Sequence, residues 1–156
     1  MISGKVTLTQ PFAANRQFVA ETGSGHHIVL DDAVGGTGAK PIELVAVALA
    51  GCTAFDVITV LRQKHHQKIT GYEVRVEADQ PERPPQVFIA VRIHHVLTGV
   101  GIDPEAVQQA IRLSEDKYCS VGAMLRQTAS LTTTFEVVEE QTEWTRPESQ
   151  AEKVQL

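Results

Sequence analysis

The chain is short of several features that would assign a protein class at once. Its 156 residues include only two cysteines, Cys52 and Cys119. That is too few for the disulfide framework of a small secreted domain, and a reducing compartment would keep both as thiols. Positive charge is also scarce: 14 Lys and Arg stand against 19 Asp and Glu, for a net charge of −5. The basic residues are scattered, so there is no electrostatic footprint for a phosphate backbone, and nucleic acid is not an expected partner. Residues 1–18 lack the charged-then-apolar order of a secretory signal, and no apolar run approaches the ~20 residues of a membrane-spanning helix. The expectation is a cytoplasmic protein with no membrane partner. Internal repeats and low-complexity segments are also lacking.

What is present points to a packed domain. Hydrophobic residues make up 42% of the chain and charged residues 21%, which is globular rather than disordered composition. A chain this long suits a single core. The expected organisation is one domain over residues 1–140 and a polar, frayed tail over 141–156 in spite of Trp144.

Periodicity assigns the elements. Residues 5–9 (KVTLT) alternate with period two and residues 25–32 (GHHIVLDD) have strand character, so the N-terminal third reads as a small antiparallel meander. The glycine-rich stretch 35–38 (GGTG) is loop punctuation, because a dinucleotide fingerprint would have to follow a strand in a βαβ unit. Pro41 suits a first helical turn, and a helix from there to about His66 contains no further proline. Its apolar residues (Leu44, Val45, Ala48, Leu49, Cys52, Phe55, Val57, Ile58, Val60, Leu61) lie nearly all round it. Such a helix would span almost 40 Å at about 1.5 Å per residue, longer than a small domain encloses, so a partner subunit is expected to cover part of it. A hairpin follows, with strands at 70–78 and 86–99 joined by the proline-rich segment DQPERPP. Asp103 then Pro104 starts a helix that runs to about Lys117. Cys119 and Ser120 open a short helix before a strand at 130–139. The order βββ–α–ββ–α–α–β predicts an α+β fold, with antiparallel sheets packed around a long central helix.

The candidate chemistry lies in the thiols, and inert buried cysteines are the plain alternative. The two are 67 positions apart, so their spacing defines neither a zinc motif nor a Cys-x-x-Cys pair. Cys119 stands at a helix N-terminus, which favours a thiolate. Cys52 lies about three turns into the long helix between Leu49 and Phe55, and needs a nearby cation if it is to react. Asp56, one turn beyond Cys52, is expected to pair with a base such as Arg62 or to cap another element. The pairs His26–His27, His65–His66 and His94–His95 suggest a metal, but neighbours on a strand face opposite ways. No metal or cofactor is expected.

Two segments carry a resemblance. KPIELVAVALAGCTAFDVITVLRQK, followed much later by SEDKYCSVGAMLRQTA, is similar to the paired motifs of the OsmC/Ohr superfamily, with most likeness to its YhfA-like branch. The resemblance spans roughly residues 5–139. It implies an intertwined homodimer with the long helices packed centrally and the cysteines near the subunit interface. It also implies that Cys52 is the peroxidatic cysteine and Cys119 the resolving one. An organic hydroperoxide, or hydrogen peroxide, would be reduced through a sulfenic acid and then a Cys52–Cys119 disulfide, with a dithiol as reductant. Arg16 and Glu43 are the nearest matches to the arginine and glutamate that support the thiolate in that family. The alternative is a non-catalytic dimer that binds a small hydrophobic ligand or a partner in its interface cleft.

Overall fold

The computed structural model describes residues 1–9, 16–32 and 36–140. Its elements come in the expected order: β1 (Gly4–Leu8), β2 (Phe18–Thr22), β3 (His27–Leu30), helix α1 (Pro41–Gln63), β4 (Lys68–Asp79), β5 (Ala90–Val100), α2 (Pro104–Leu113), a π-helical turn (Ser114–Tyr118), α3 (Ser120–Leu125) and β6 (Ser130–Glu139). The tail expected at 141–156 lies outside the described residues, as does Gly35. The first three strands form the expected antiparallel meander, β1-β2-β3.

The second sheet has the order β4-β5-β6. β4 and β5 are the expected hairpin, in register from Asp79↔Ala90 to Lys68↔Val100. β5 begins at Ala90, not Gln86, because β4 has ended by then and no strand is left to pair with. The α+β class with a long helix stands, but β6 runs parallel to β5. A parallel neighbour needs a crossover of a dozen or more residues, and α2, the π-helical turn and α3 supply it. Gly99 is required where the sheet is tightest, since a Cβ there would lie 2.1 Å from the Lys68 carbonyl oxygen.

Pro41 occupies the first turn of α1, and the Glu43 carboxylate accepts the Lys40 backbone N–H at 3.0 Å. That bond satisfies a donor just before the helix. The helix stops at Gln63, three residues short of expectation. His66 adopts φ 50°, a left-handed conformation uncommon outside glycine, and the chain turns into β4 there. By length and a mean hydropathy of 2.2, α1 is apolar enough to cross a membrane, against the expectation that no run approaches that length. In the fold it is the core helix, packed against α2, α3 and β4.

One side of α1 builds two adjoining clusters. Val57, Val60 and Leu61 meet Leu97, Ile102, Val107, Ala110 and Ile111. Leu49 meets Phe88, Val91, Ile93, Cys119 and Ala129. The other side of the same helix leaves Val47 and Phe55 exposed, at 58% and 77%.

His95 is fully buried, and its Nδ1 lies 2.7 Å from the Tyr72 hydroxyl. Its Nε2 has no hydrogen-bond partner. Burial and then the neighbouring His94 push the imidazole from 6.5 down to about 4. A depressed pKa contributes stability that is fully present above pH 6.5 and is lost as pH falls through about 4, amounting to roughly 3 kcal/mol. Urea midpoints should therefore fall between pH 6.5 and 4, and that slope should shrink in His95→Gln. An unchanged slope in the variant would assign the acid sensitivity to other groups.

Candidate active site

The crossover that makes β6 parallel also carries Cys119 back onto α1. Asp103 caps α2 through its Oδ1, which accepts the Glu105 N–H at 2.9 Å. After ten residues the helix widens to π geometry, and the Cys119 N–H reaches the Ser114 carbonyl at 2.8 Å. Short π segments of this kind are frequent at functional sites. The turn brings the Ser114 side chain, fully buried, to within 2.9 Å of Asp56 Oδ2 and 3.2 Å of Thr53 Oγ1.

Cys52 and Asp56 are one turn apart and therefore share a face of α1. The Cys52 and Cys119 sulfurs and a carboxylate oxygen of Asp56 all lie within 4.8 Å of one another. Both thiols are free. Cys52 and Asp56 are half-buried, whereas Cys119 is only 5% exposed.

The expected lowering of the Cys119 pKa is overturned. Its sulfur does accept the Gly122 N–H at 3.3 Å, but α3 has only six residues. Burial, then the thiol of Cys52, push Cys119 from 9.0 up to about 11, with Asp56 adding to the rise. A single N–H does not offset the loss of water around an anion. Asp56→Asn should bring the Cys119 thiol back down, read as thiolate absorbance against pH in Cys52→Ser and Cys52→Ser/Asp56→Asn proteins. No difference between those titrations would remove Asp56 as a cause.

The other expected residues lie apart from this cluster. Arg16 is bound to Asp32, Nε to Oδ2 at 3.0 Å, with its side chain 77% exposed. Glu43 is occupied with Lys40 at the start of α1. Nine helical positions place Glu43 about 13 Å along the axis from Cys52 and on the opposite face, out of reach of the thiol in its own chain. Arg126 lines a crevice beside Cys119 and is held by Glu115. Asp56 pairs with Ser114 and not with the expected Arg62. The histidine pairs do not assemble one site: His95 is buried while His94, on the other face of β5, meets Thr134 at 2.8 Å and Glu136 at 3.6 Å.

Ser114 and Thr53 are the members of the site that the sequence did not single out as functional. The available signal was a polar residue in the buried stripe of Val107, Ala110 and Ile111. An open groove of about 300 Å³ adjoins the cluster, walled by Phe55, Asp56, Thr59, Lys64 and Tyr118.

Known proteins are similar to this chain in sequence and in fold. Residues 34–134 match the family described as OsmC-like protein. Protein YhfA of Escherichia coli (strain K12) is 37% identical over 121 residues, covering 78% of this chain and 90% of YhfA. A hypothetical protein from Aquifex aeolicus VF5 has a similar solved structure, with TM-score 0.78 and 26% identity over 90% of this chain and 98% of that one. The organic hydroperoxide resistance protein OhrB of Bacillus subtilis shares the fold at TM-score 0.57 and 15% identity, over 87% and 98% of the two chains. With the family match spanning most of its length and a relative above 30% identity, the chain belongs to the OsmC family.

Proposed function

We propose that this protein is a thiol-dependent peroxidase that reduces organic hydroperoxides through Cys52 and Cys119. The observation that carries this reading is the meeting of two sulfurs, 67 positions apart in sequence, within 4.8 Å. The Cys52 thiolate attacks one peroxide oxygen. An S–O bond forms, the O–O bond breaks, and the alcohol leaves after taking up a proton, so that Cys52 becomes a sulfenic acid. Cys119 then attacks that sulfur, the S–S bond forms, and water leaves with the thiol proton. A dithiol reductant supplies the two electrons that restore the thiols. The groove beside Asp56, with Phe55 and Tyr118 in its wall, supports an organic rather than a purely polar substrate. Arg16 and Glu43 serve the site only if a second chain brings them to it, and the exposed side of α1 supports a homodimer. The second reading, a non-catalytic dimer that binds a hydrophobic ligand, draws on the groups acting on Cys119, which include no cation among the described residues.

Treatment with one equivalent of cumene hydroperoxide should join Cys52 to Cys119 within one chain and release one equivalent of cumyl alcohol. Mass spectrometry of a non-reducing digest reads the link. Intact thiols after minutes with the peroxide would favour the non-catalytic reading, and links only between chains would reject the intrachain pairing.

A further inference from the structure

We propose that Cys52, Asp56 and Cys119, in the reduced protein, form a binding site for one thiophilic divalent cation, with zinc the preferred ion. The inference uses the same cluster as the peroxidase reading but does not depend on it. It starts from the donors. Zinc takes thiolate sulfur at about 2.3 Å and carboxylate oxygen at about 2.0–2.2 Å, so tetrahedral ligands sit under about 4 Å from one another. The three donor atoms here already lie within 4.8 Å, and closing on an ion takes shifts of about 1 Å. Two soft sulfurs and one carboxylate select zinc over magnesium or calcium, which favour all-oxygen sites. Three protein ligands leave a fourth position open, and the groove walled by Phe55, Asp56 and Tyr118 gives access from solvent.

Two thiol sulfurs and a carboxylate oxygen, each able to carry a negative charge, converge within 4.8 Å. A carboxylate is a poor neighbour for a free thiolate. A divalent ion reverses that balance, because it deprotonates its thiols outright and turns the carboxylate into a ligand. Support behind the ligands is also in place. Ser114, itself fully buried, donates to Asp56 Oδ2 at 2.9 Å, as outer-shell partners of metal ligands do. Binding exchanges the two thiol protons for the ion, so affinity rises with pH. A hydroperoxide that takes two electrons from the two thiolates, and two protons from water, leaves as alcohol and water; the disulfide formed has no thiolate to hold the ion, which makes occupancy a function of the thiol redox state.

Titration of the reduced full-length protein with Co²⁺, followed by displacement with Zn²⁺, tests the site. One Co²⁺ per chain should give a sulfur-to-cobalt charge-transfer band with tetrahedral d–d intensity, and Zn²⁺ should abolish both. The band should be lost in Cys52→Ser and Cys119→Ser and in disulfide-oxidised protein. Asp56→Asn and Ser114→Ala should weaken zinc by at least about 10-fold, and His94→Ala should not. A wild-type titration without the charge-transfer band overturns the site, even where a variant fails to fold. Unchanged binding in the oxidised protein, or unchanged affinity in Asp56→Asn, overturns it as well. A cobalt band without peroxide consumption leaves the metal site standing and removes the peroxidase reading, and the reverse result does the opposite.

Discussion

Cys52→Ser protein should consume no cumene hydroperoxide in a single turnover, whereas Cys119→Ser should consume about one equivalent per chain. The two thiols differ in two physical respects. Cys119 is 5% exposed, and burial holds its thiol well above the usual range, so the protonated form prevails at pH 7. The crevice beside it encloses about 10 Å³, at the lower limit of what a single water needs, and a hydroperoxide does not fit. Cys52 is more exposed and shares a helix face with Asp56, whose side chain walls the open groove. Cys119 becomes useful after the first step. The sulfenic acid formed at Cys52 offers an electrophilic sulfur, and the Cys119 sulfur lies within 4.8 Å of that position. In Cys119→Ser the sulfenic acid has no resolving thiol, and excess peroxide should drive it to the irreversible sulfinic state. Single-turnover thiol loss in both variants is the measurement. Wild-type rates in Cys52→Ser, with no reaction in Cys119→Ser, would reverse the two roles.

The protein should migrate in light scattering as a dimer of its 17.0 kDa chain, and Phe55→Glu should separate it into monomers. Phe55 is 77% exposed and Val47 58% in the single chain, on the side of α1 away from the core. Val6 at 58% and Ile28 at 40% leave the N-terminal sheet equally uncovered. Monomers rarely expose so many large apolar side chains over connected elements. Burying one phenylalanine stabilises by about 1.5–3 kcal/mol, and a two-fold interface buries two copies. Their loss alone should weaken dimerisation by about 10²-fold or more, before the desolvation of two glutamates is counted. Because Phe55 lies outside the core of its own chain, the variant should keep the wild-type circular dichroism. A wild-type monomer at micromolar concentration would reject the dimer, and with it any route for Arg16 or Glu43 to reach a thiol of another subunit.

The order of elements was legible because each rests on local pattern. Two-residue alternation marks β4 and β6, Pro41 and the Asp103–Pro104 pair start their helices, and the apolar run of α1 sets its length. Strand ends were misjudged where pairing decides them, as at residues 86–89. The parallel direction of β6 was also hidden, because alternation is the same whichever way a strand runs.

The site divides in the same way. Sequence by itself determined the family motifs around Cys52 and Cys119 and the turn that sets Asp56 below Cys52, because neighbours on one helix have their geometry fixed by 3.6 residues per turn. Only the tertiary structure decided that the two sulfurs meet, that Ser114 holds Asp56, and that Cys119 sits high in pKa although it caps a helix. Contacts across 67 positions depend on how α2, the π-helical turn and α3 pack against α1. The pKa depends on how much water that packing removes, and neither quantity is encoded in a local window of residues.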